Sequence, residues 1–352
     1  MRKALYIDAL CPSGYKVFNS LTLDAISTMD IELKIVATHK CIPERFNIDF
    51  IIPERYFARS KRTILPKISY RIREYRKWQW ILNVIDQEEP NLIFVSSYES
   101  ISFSLISNKI RVPVLAFNHN NIDELTSKAK RIFYRKISKN IIQVVFEDYM
   151  AEYLKIIGIK NNVVVLPHIV DPVEIMENKS TSINSRVLTL FAPSSSNDFT
   201  IIESLKRRKE DLKRHQIRLV AKFTKDFEDD HLILRKRFSD EEYSKYMRIC
   251  SLVYVPLPNT FNYRVSNVIN EAVANGKRVV AHRNKYTEFL KKRYPPLIYI
   301  LSDGILNESK RFQNWIMKNG DAFVESRVRF LKDHSKTTFK ETLRIVIDKN
   351  CR

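Results

Sequence analysis

Phe238-Ser239-Asp240-Glu241-Glu242-Tyr243-Ser244-Lys245-Tyr246-Met247-Arg248-Ile249-Cys250-Ser251-Leu252-Val253-Tyr254-Val255-Pro256 reads as a capped helix that runs into a buried strand. Ser239 is a good N-cap, since its hydroxyl can accept from an open backbone N–H of the first turn. Asp240, Glu241 and Glu242 then put negative charge at the positive end of the helix dipole. After the loop 257–265, Ser266-Asn267-Val268-Ile269-Asn270-Glu271-Ala272-Val273-Ala274-Asn275-Gly276-Lys277-Arg278-Val279-Val280-Ala281 reads as helix, glycine stop and strand. Helix, strand, helix and strand in this order belong to a parallel α/β sheet.

The same alternation extends outward in both directions. The spacing predicts strands near 187–192, 217–222, 251–256, 278–281 and 297–301, with helices near 198–212, 240–249, 266–275 and 284–292. In the first half, strands are expected at 3–8, 32–37, 92–96, 112–117 and 141–146, with amphipathic stretches between most of them. Pro167, Pro172 and the polar run 177–185 interrupt the pattern and mark a linker. The expected architecture is α/β: two Rossmann-like lobes with a cleft between them and a C-terminal helical segment. The boundaries are 1–170 for the first lobe, 171–185 for the linker, 186–308 for the second lobe and 309–352 for helices expected to pack back on the first lobe. Length agrees, because 352 residues exceed the roughly 100–200 usual for one domain.

Composition removes several function classes. Only five glycines occur, so neither a Gly-x-Gly-x-x-Gly dinucleotide fingerprint nor a Walker phosphate loop is present. Any anion must be held by helix N-termini, hydroxyls, amides and cations. Cys11, Cys41, Cys250 and Cys351 lie far apart in sequence, without zinc-site spacing, and read as reduced, ordinary residues with no metal site. No window reaches the roughly 20 apolar residues of a membrane span, and the first residues read as a strand, so a cytoplasmic protein is expected. Lys and Arg outnumber Asp and Glu by 60 to 40, a formal charge of +20, which favours anionic partners without choosing among them.

Glu271-Ala272-Val273-Ala274-Asn275-Gly276-Lys277-Arg278-Val279-Val280-Ala281, with the acidic helix and strand before it, resembles the donor-binding half of GT-B glycosyltransferases, especially family 4 and divergent bacterial surface-polysaccharide transferases. The resemblance spans about residues 90–290 and is strongest over 238–281. It implies a transferase that moves a sugar from a UDP- or GDP-sugar to a lipid-linked or growing surface glycan, with no cofactor. It implies that Glu271 takes the donor ribose and that Ser266 and Asn267 face the diphosphate. Retaining members usually carry an earlier glutamate; here that position, eight residues before Glu271, is Tyr263. Arg264 and Lys222 are candidates to neutralise phosphate. Ser195, in the Ala192-Pro193-Ser194-Ser195-Ser196-Asn197-Asp198 loop between a strand and a helix, is placed near the same group.

In the first lobe, Val112-Pro113-Val114-Leu115-Ala116-Phe117-Asn118-His119 reads as a strand with His119 at its carboxyl end, where open α/β sheets hold ligands. The resemblance implies a cleft-facing histidine here, making His119 the catalytic candidate. Gly14 and Tyr15, after the first strand, match the family's cleft loop. Glu99, Asp123 and Glu124 are the carboxylates expected near the acceptor.

The stretch 67–82 is helical and rich in cations and aromatics; Arg71, Arg73, Arg76, Lys77 and Trp78 are expected to touch an anionic membrane surface, with the Arg59–Arg62 cluster adding charge, the alternative being a solvated basic helix whose Trp residues face the core. That places the protein at the inner face of the cell membrane. Two other readings compete. One is a nucleotide-sugar epimerase of the same fold. The other is a basic nucleic-acid-binding protein, which has the charge but no recognition motif, so no specific nucleic acid is expected.

Overall fold

The computed structural model describes residues 2–12, 15–57, 66–172 and 187–350. Gly14, the Arg59–Arg62 cluster and the linker 173–185 lie outside the described residues. Contacts divide the chain into unit 1, residues 1–169 with 334–352, and unit 2, residues 170–333.

Unit 1 is built from β1 (Arg2–Asp8), α1 (Lys16–Ser27), β2 (Ile31–Ala37), β3 (Phe50–Ile51), α2 (Pro66–Glu88), β4 (Leu92–Ser97), α3 (Ser100–Ile106), β5 (Val114–Phe117), α4 (Lys128–Tyr134), β6 (Ile141–Val145), α5 (Asp148–Ile156) and β7 (Val163–Val165). Its strands form one parallel sheet in the order β3-β2-β1-β4-β5-β6-β7. Strands β4, β5 and β6 are buried along their whole length, as helices on both faces of a parallel sheet require.

Unit 2 continues with β8 (Leu188–Ala192), α6 (Phe199–Arg207), α7 (Lys209–Arg214), β9 (Ile217–Lys222), β10 (Phe227–Asp229), β11 (Leu232–Arg235), α8 (Asp240–Ile249), β12 (Leu252–Val255), α9 (Asn267–Ala274), β13 (Val279–His282), α10 (Lys285–Arg293), β14 (Ile298–Leu301), α11 (Gly304–Asn307), α12 (Ser309–Lys318) and α13 (Gly320–Asp333). The sheet order is β10-β11-β9-β8-β12-β13-β14, parallel except for the β10–β11 pair. The helix expected over 198–212 breaks at Arg208, whose ψ of 31° leaves the helical range. The expected capping of α8 is a full capping box: Ser239 Oγ accepts from Glu242 N at 3.1 Å, and Glu242 Oε2 accepts from Ser239 N at 3.0 Å. The segment 309–352 is divided between the units: α12 and α13 belong to unit 2, and α14 (Lys336–Asn350) to unit 1.

Two of the five residues expected at a membrane surface are instead in the core of unit 1. Trp78 is fully buried, its ring 4.9 Å from that of Phe103, and Lys77 is 1% exposed. Lys77 Nζ donates to Glu74 Oε1 at 2.9 Å and to the Ala9 carbonyl at 2.7 Å. The reason is helical periodicity: Glu74, Lys77, Trp78, Ile81, Val84 and Ile85 recur on the face of α2 turned inward, and all six are buried. Arg71 and Arg76 are exposed on α2, and Arg73, half-buried, lies over the Tyr70 ring at 5.6 Å.

Candidate functional site

In unit 2 the chain leaves β8 toward β9 on one side of the sheet and returns through β12 toward β13 on the other. Loops that diverge in this way leave a crevice beyond the carboxyl ends of the strands, the usual ligand position in open α/β sheets. Here the two loops touch: Asp198 N donates to the Pro256 carbonyl at 2.6 Å. Asp198 also caps α6, accepting from the Thr200 hydroxyl at 2.6 Å and from Thr200 N at 2.9 Å, and the hydroxyl first of all holds its carboxyl below the usual range.

Around that crevice, Ser195 is exposed in the loop after β8, between the buried Ser194 and Asn197. Lys222 is the last residue of β9 and is half-buried. Ser266 is the N-cap of α9, and its side chain makes no capping hydrogen bond; Asn267 begins the helix. Arg264 lies just before it, its guanidinium 4.3 Å from the Phe261 ring centroid. All of these are at the carboxyl end of the sheet or in the loops that leave it.

Glu271, one turn into α9, is half-buried and accepts a hydrogen bond from the Tyr243 hydroxyl. Burial raises its carboxyl pKa, against the lowering effect of Tyr243. Tyr243 comes from α8, so α8 and α9 meet at this carboxylate.

In unit 1 the corresponding divergence lies between β1, which leads to β2, and β4, which leads to β5. Ala9 N donates to the Ser97 carbonyl at 3.1 Å and Leu10 N to Ser97 Oγ at 3.1 Å, joining the two strand ends. A cavity of about 390 Å³ opens there. This is within the range of small-ligand pockets. Leu10 and Tyr15 line it from the β1 side, Ser97, Tyr98 and Glu99 from β4, and His119, Asn120 and Asn121 from β5, while Tyr70, Arg71, Glu124 and Lys130 complete the wall.

His119 is 8% exposed and packed among rings, with Tyr15 at 4.2 Å and Phe18 edge-on at 4.5 Å. Burial first, and the neighbouring His168 second, push its pKa well below the usual value, against a bond to the Ser96 backbone. Its Nε2 has no hydrogen-bond partner. A neutral ring bonded through the other nitrogen presents Nε2 as an acceptor. Beneath it, Asn118 Oδ1 accepts from Tyr98 and Tyr134 hydroxyls at 2.9 and 2.8 Å, and Asn118 Nδ2 donates to Gln143 Oε1 at 3.1 Å. This buried network fixes the turn that carries His119.

Of the expected carboxylates, Glu99 and Glu124 line the cavity, and Asp123 is not among the lining residues. Glu99 Oε2 accepts from Ser102 N at 2.7 Å, and Glu124 pairs with Lys130 at 2.7 Å. Burial and the charges of Glu74, Glu99 and Glu124 hold the Tyr70 hydroxyl protonated, as a donor. Arg71, read from sequence as a membrane contact, lies on the cavity wall. Tyr98 was missed, although it directly follows a strand end, the rule that singled out His119.

No protein-family model matches the sequence, and no curated protein matches it in sequence. Solved structures match over nearly the whole chain. Sucrose-phosphate synthase from Thermosynechococcus elongatus is similar with a TM-score of 0.69 at 12% identity, covering 99% of both chains. Anabaena HepE, solved in complex with UDP-glucose, has a TM-score of 0.63 at 11% identity, covering 99% of this chain and 100% of that one. A Listeria monocytogenes protein assigned as a UDP-N-acetylglucosamine 2-epimerase has a TM-score of 0.62 at 12% identity, covering 98% and 94%. At such identities the likeness establishes the fold: the chain has the two-lobed GT-B architecture.

Proposed function

We propose that this GT-B chain is a glycosyltransferase whose unit 2 holds a nucleoside-diphosphate sugar and whose unit 1 cavity receives the acceptor glycan. The observation that carries the reading is that polar groups gather in both units where the strand order diverges, with Glu271 in unit 2 and His119, its Nε2 buried and without a partner, among the residues lining the unit 1 cavity. Transfer breaks the bond between the anomeric carbon and the diphosphate and forms one to an acceptor oxygen. Negative charge grows on the leaving diphosphate, and Lys222, Arg264 and the N-terminus of α9 are the groups proposed to stabilise it. Glu271 accepts from the ribose hydroxyls with the oxygen capacity that Tyr243 leaves. His119 accepts from a sugar hydroxyl, and Glu99 and Glu124 are the carboxylates in reach of an acceptor hydroxyl.

Calorimetric titration with UDP, GDP, ADP and CMP tests the donor half. One nucleoside diphosphate should bind selectively, and Glu271→Gln should weaken it roughly 10- to 100-fold, the loss of about 1.4–3 kcal/mol expected for a hydrogen bond to a charged group. Equal indifference to all four nucleotides overturns the assignment. The fold is also that of the epimerase-like neighbour, so the bound nucleotide sugar should be incubated alone: an epimer formed without acceptor replaces the transferase reading.

The acceptor is proposed to be lipid-linked and reached from an anionic membrane surface. Among the described residues no helix is long and apolar enough to cross a membrane. In unit 1, Ile68, Arg71, Ile72 and Arg76 are exposed on α2, Leu105 on α3, and Lys128 and Ile132 on α4. Apolar side chains among cations suit an acidic bilayer surface, each cation near the headgroups contributing about 1 kcal/mol. Cosedimentation with phosphatidylserine-containing vesicles should exceed that with phosphatidylcholine alone and should fall in high salt and in Ile72→Asp. Equal sedimentation with both vesicle types counts against the surface.

A further inference from the structure

Cys11 and Cys41 are thirty positions apart in sequence, yet the structure brings them together beside Asp8, the last residue of β1. Cys11 Sγ, Cys41 Sγ and an Asp8 carboxylate oxygen lie within 4.8 Å of one another. Both cysteines are free, Cys41 wholly buried and Cys11 7% exposed. Cys11 sits in the loop between β1 and α1 with a φ of 47°, in the left-handed region that a residue with a Cβ rarely occupies. Cys41 sits in the turn after β2, tied through its carbonyl to Asn19 Nδ2 at 2.9 Å.

We propose that Cys11 and Cys41 are a modification site, a thiol pair that a low-molecular-weight disulfide of the glutathione class oxidises reversibly to an intramolecular disulfide. Cys11, the less buried of the two residues, attacks the small disulfide RSSR as its thiolate and releases one thiol RSH, leaving a mixed disulfide. The Cys41 thiolate then attacks the Cys11 sulfur and releases the second RSH. The two protein thiols lose two electrons and two protons, and RSSR gains them as two RSH.

The same three side chains satisfy the proximity condition for a thiophilic metal, but the chemistry of Asp8 favours the disulfide. Its Oδ1 accepts from Cys11 N at 2.9 Å and from the Ser97 hydroxyl, and its Oδ2 accepts from Asn19 Nδ2 at 2.7 Å. These bonds already engage both carboxylate oxygens, and a disulfide between the two sulfurs makes no demand on them. The contact with Cys11, and then burial, hold the Cys41 thiol far above its usual pKa. Since the thiolate is the nucleophile, the step that Cys41 performs is slow at neutral pH and accelerates as pH rises.

The bridge bears on the cavity because the loop that carries Cys11 also supplies two of its walls, Leu10 and Tyr15. Closing the sulfurs to a bond of about 2.05 Å removes the Cys11 thiol's hydrogen bond to the Asp8 carbonyl, 2.8 Å in the reduced protein, and moves this loop. Resting on the assignment of the cavity to the acceptor, oxidation is then a brake on acceptor use that leaves nucleotide binding in unit 2 untouched.

The folded full-length protein is equilibrated with oxidised and reduced glutathione at several ratios, trapped by alkylation and mapped by mass spectrometry without reduction. A cross-linked peptide pair containing Cys11 and Cys41, two hydrogens lighter and reversed by dithiothreitol, is expected, and Cys11→Ser and Cys41→Ser each abolish it. Circular dichroism checks that both variants fold. If Cys11 and Cys41 stay reduced at every ratio while Cys351 forms a mixed disulfide, the proposal fails. Where the cross-link forms, the acceptor KM should rise at unchanged nucleotide affinity; an unchanged KM overturns the brake. Absence of transfer in the reduced protein counts against the transferase reading alone, since the cross-link is read by mass.

Discussion

Lys77→Met should destabilise unit 1 by about 3–5 kcal/mol, the cost of leaving one member of a buried ion pair without its partner. Lys77 and Glu74 are 1% and 2% exposed, and their ammonium and carboxylate meet at 2.9 Å. Lys77 also holds the Ala9 carbonyl, so its loss loosens the loop that begins the cavity wall. Burial already raises the Glu74 pKa in the presence of Lys77. Without the lysine, Glu74 should take up a proton, which makes the defect smaller in mildly acidic buffer. The double variant Glu74→Gln/Lys77→Met, which removes both charges, should recover much of the lost stability. Arg76→Met, on the exposed side of the same helix, should change stability by less than about 0.5 kcal/mol. Urea unfolding of the four proteins checks this; equal midpoints for Lys77→Met and Arg76→Met would show that the buried pair is not stabilising.

The contrast between Lys77 and Arg76 also shows where sequence reading succeeds. Strand positions were legible because parallel strands buried on both faces are continuous apolar runs, and the expected 217–222 is the observed β9 to the residue. The β10–β11 hairpin was not anticipated, because Phe227–Asp229 and Leu232–Arg235 are too short to establish a period. Position at a strand end was a good guide to the cavity, through His119, since backbone geometry sets where a strand's loop emerges. Composition was a poor guide to the face of α2: a run of cations and aromatics looks uniform in sequence, but the period of 3.6 sends Lys77 and Trp78 inward and leaves Arg71 and Arg76 outside. Pairings such as Tyr243 with Glu271, or Cys11 with Cys41, depend on how the elements pack, and spacing carries no trace of them.

Unit 1 should lose stability on mild acidification, chiefly through His168 and His119. His168 is 5% exposed, its ring 5.0 Å from Phe146 and 5.1 Å from Phe18. Burial, and then the nearby His334, lower its pKa to about 4. Above the unfolded value of about 6.5 both folded and unfolded chains carry a neutral ring, and the full stability is present. Between pH 6.5 and 4 the unfolded chain binds a proton that the folded chain refuses, so stability falls through this window and His168 takes nothing further below it. A separation of about 2.5 units corresponds to about 3 kcal/mol. His119 adds to the loss in the same direction. Glu74 acts oppositely, because its raised folded pKa favours the folded state as it protonates. Urea unfolding from pH 7 to 4.5 should therefore show a falling midpoint in the native protein and a shallower fall in His168→Phe; identical slopes would remove His168 from the account. While the fold lasts, the lowered pKa keeps His119 Nε2 an acceptor well below pH 6.5, so under the proposed function acceptor binding should fail together with the fold and not at the ordinary histidine pKa.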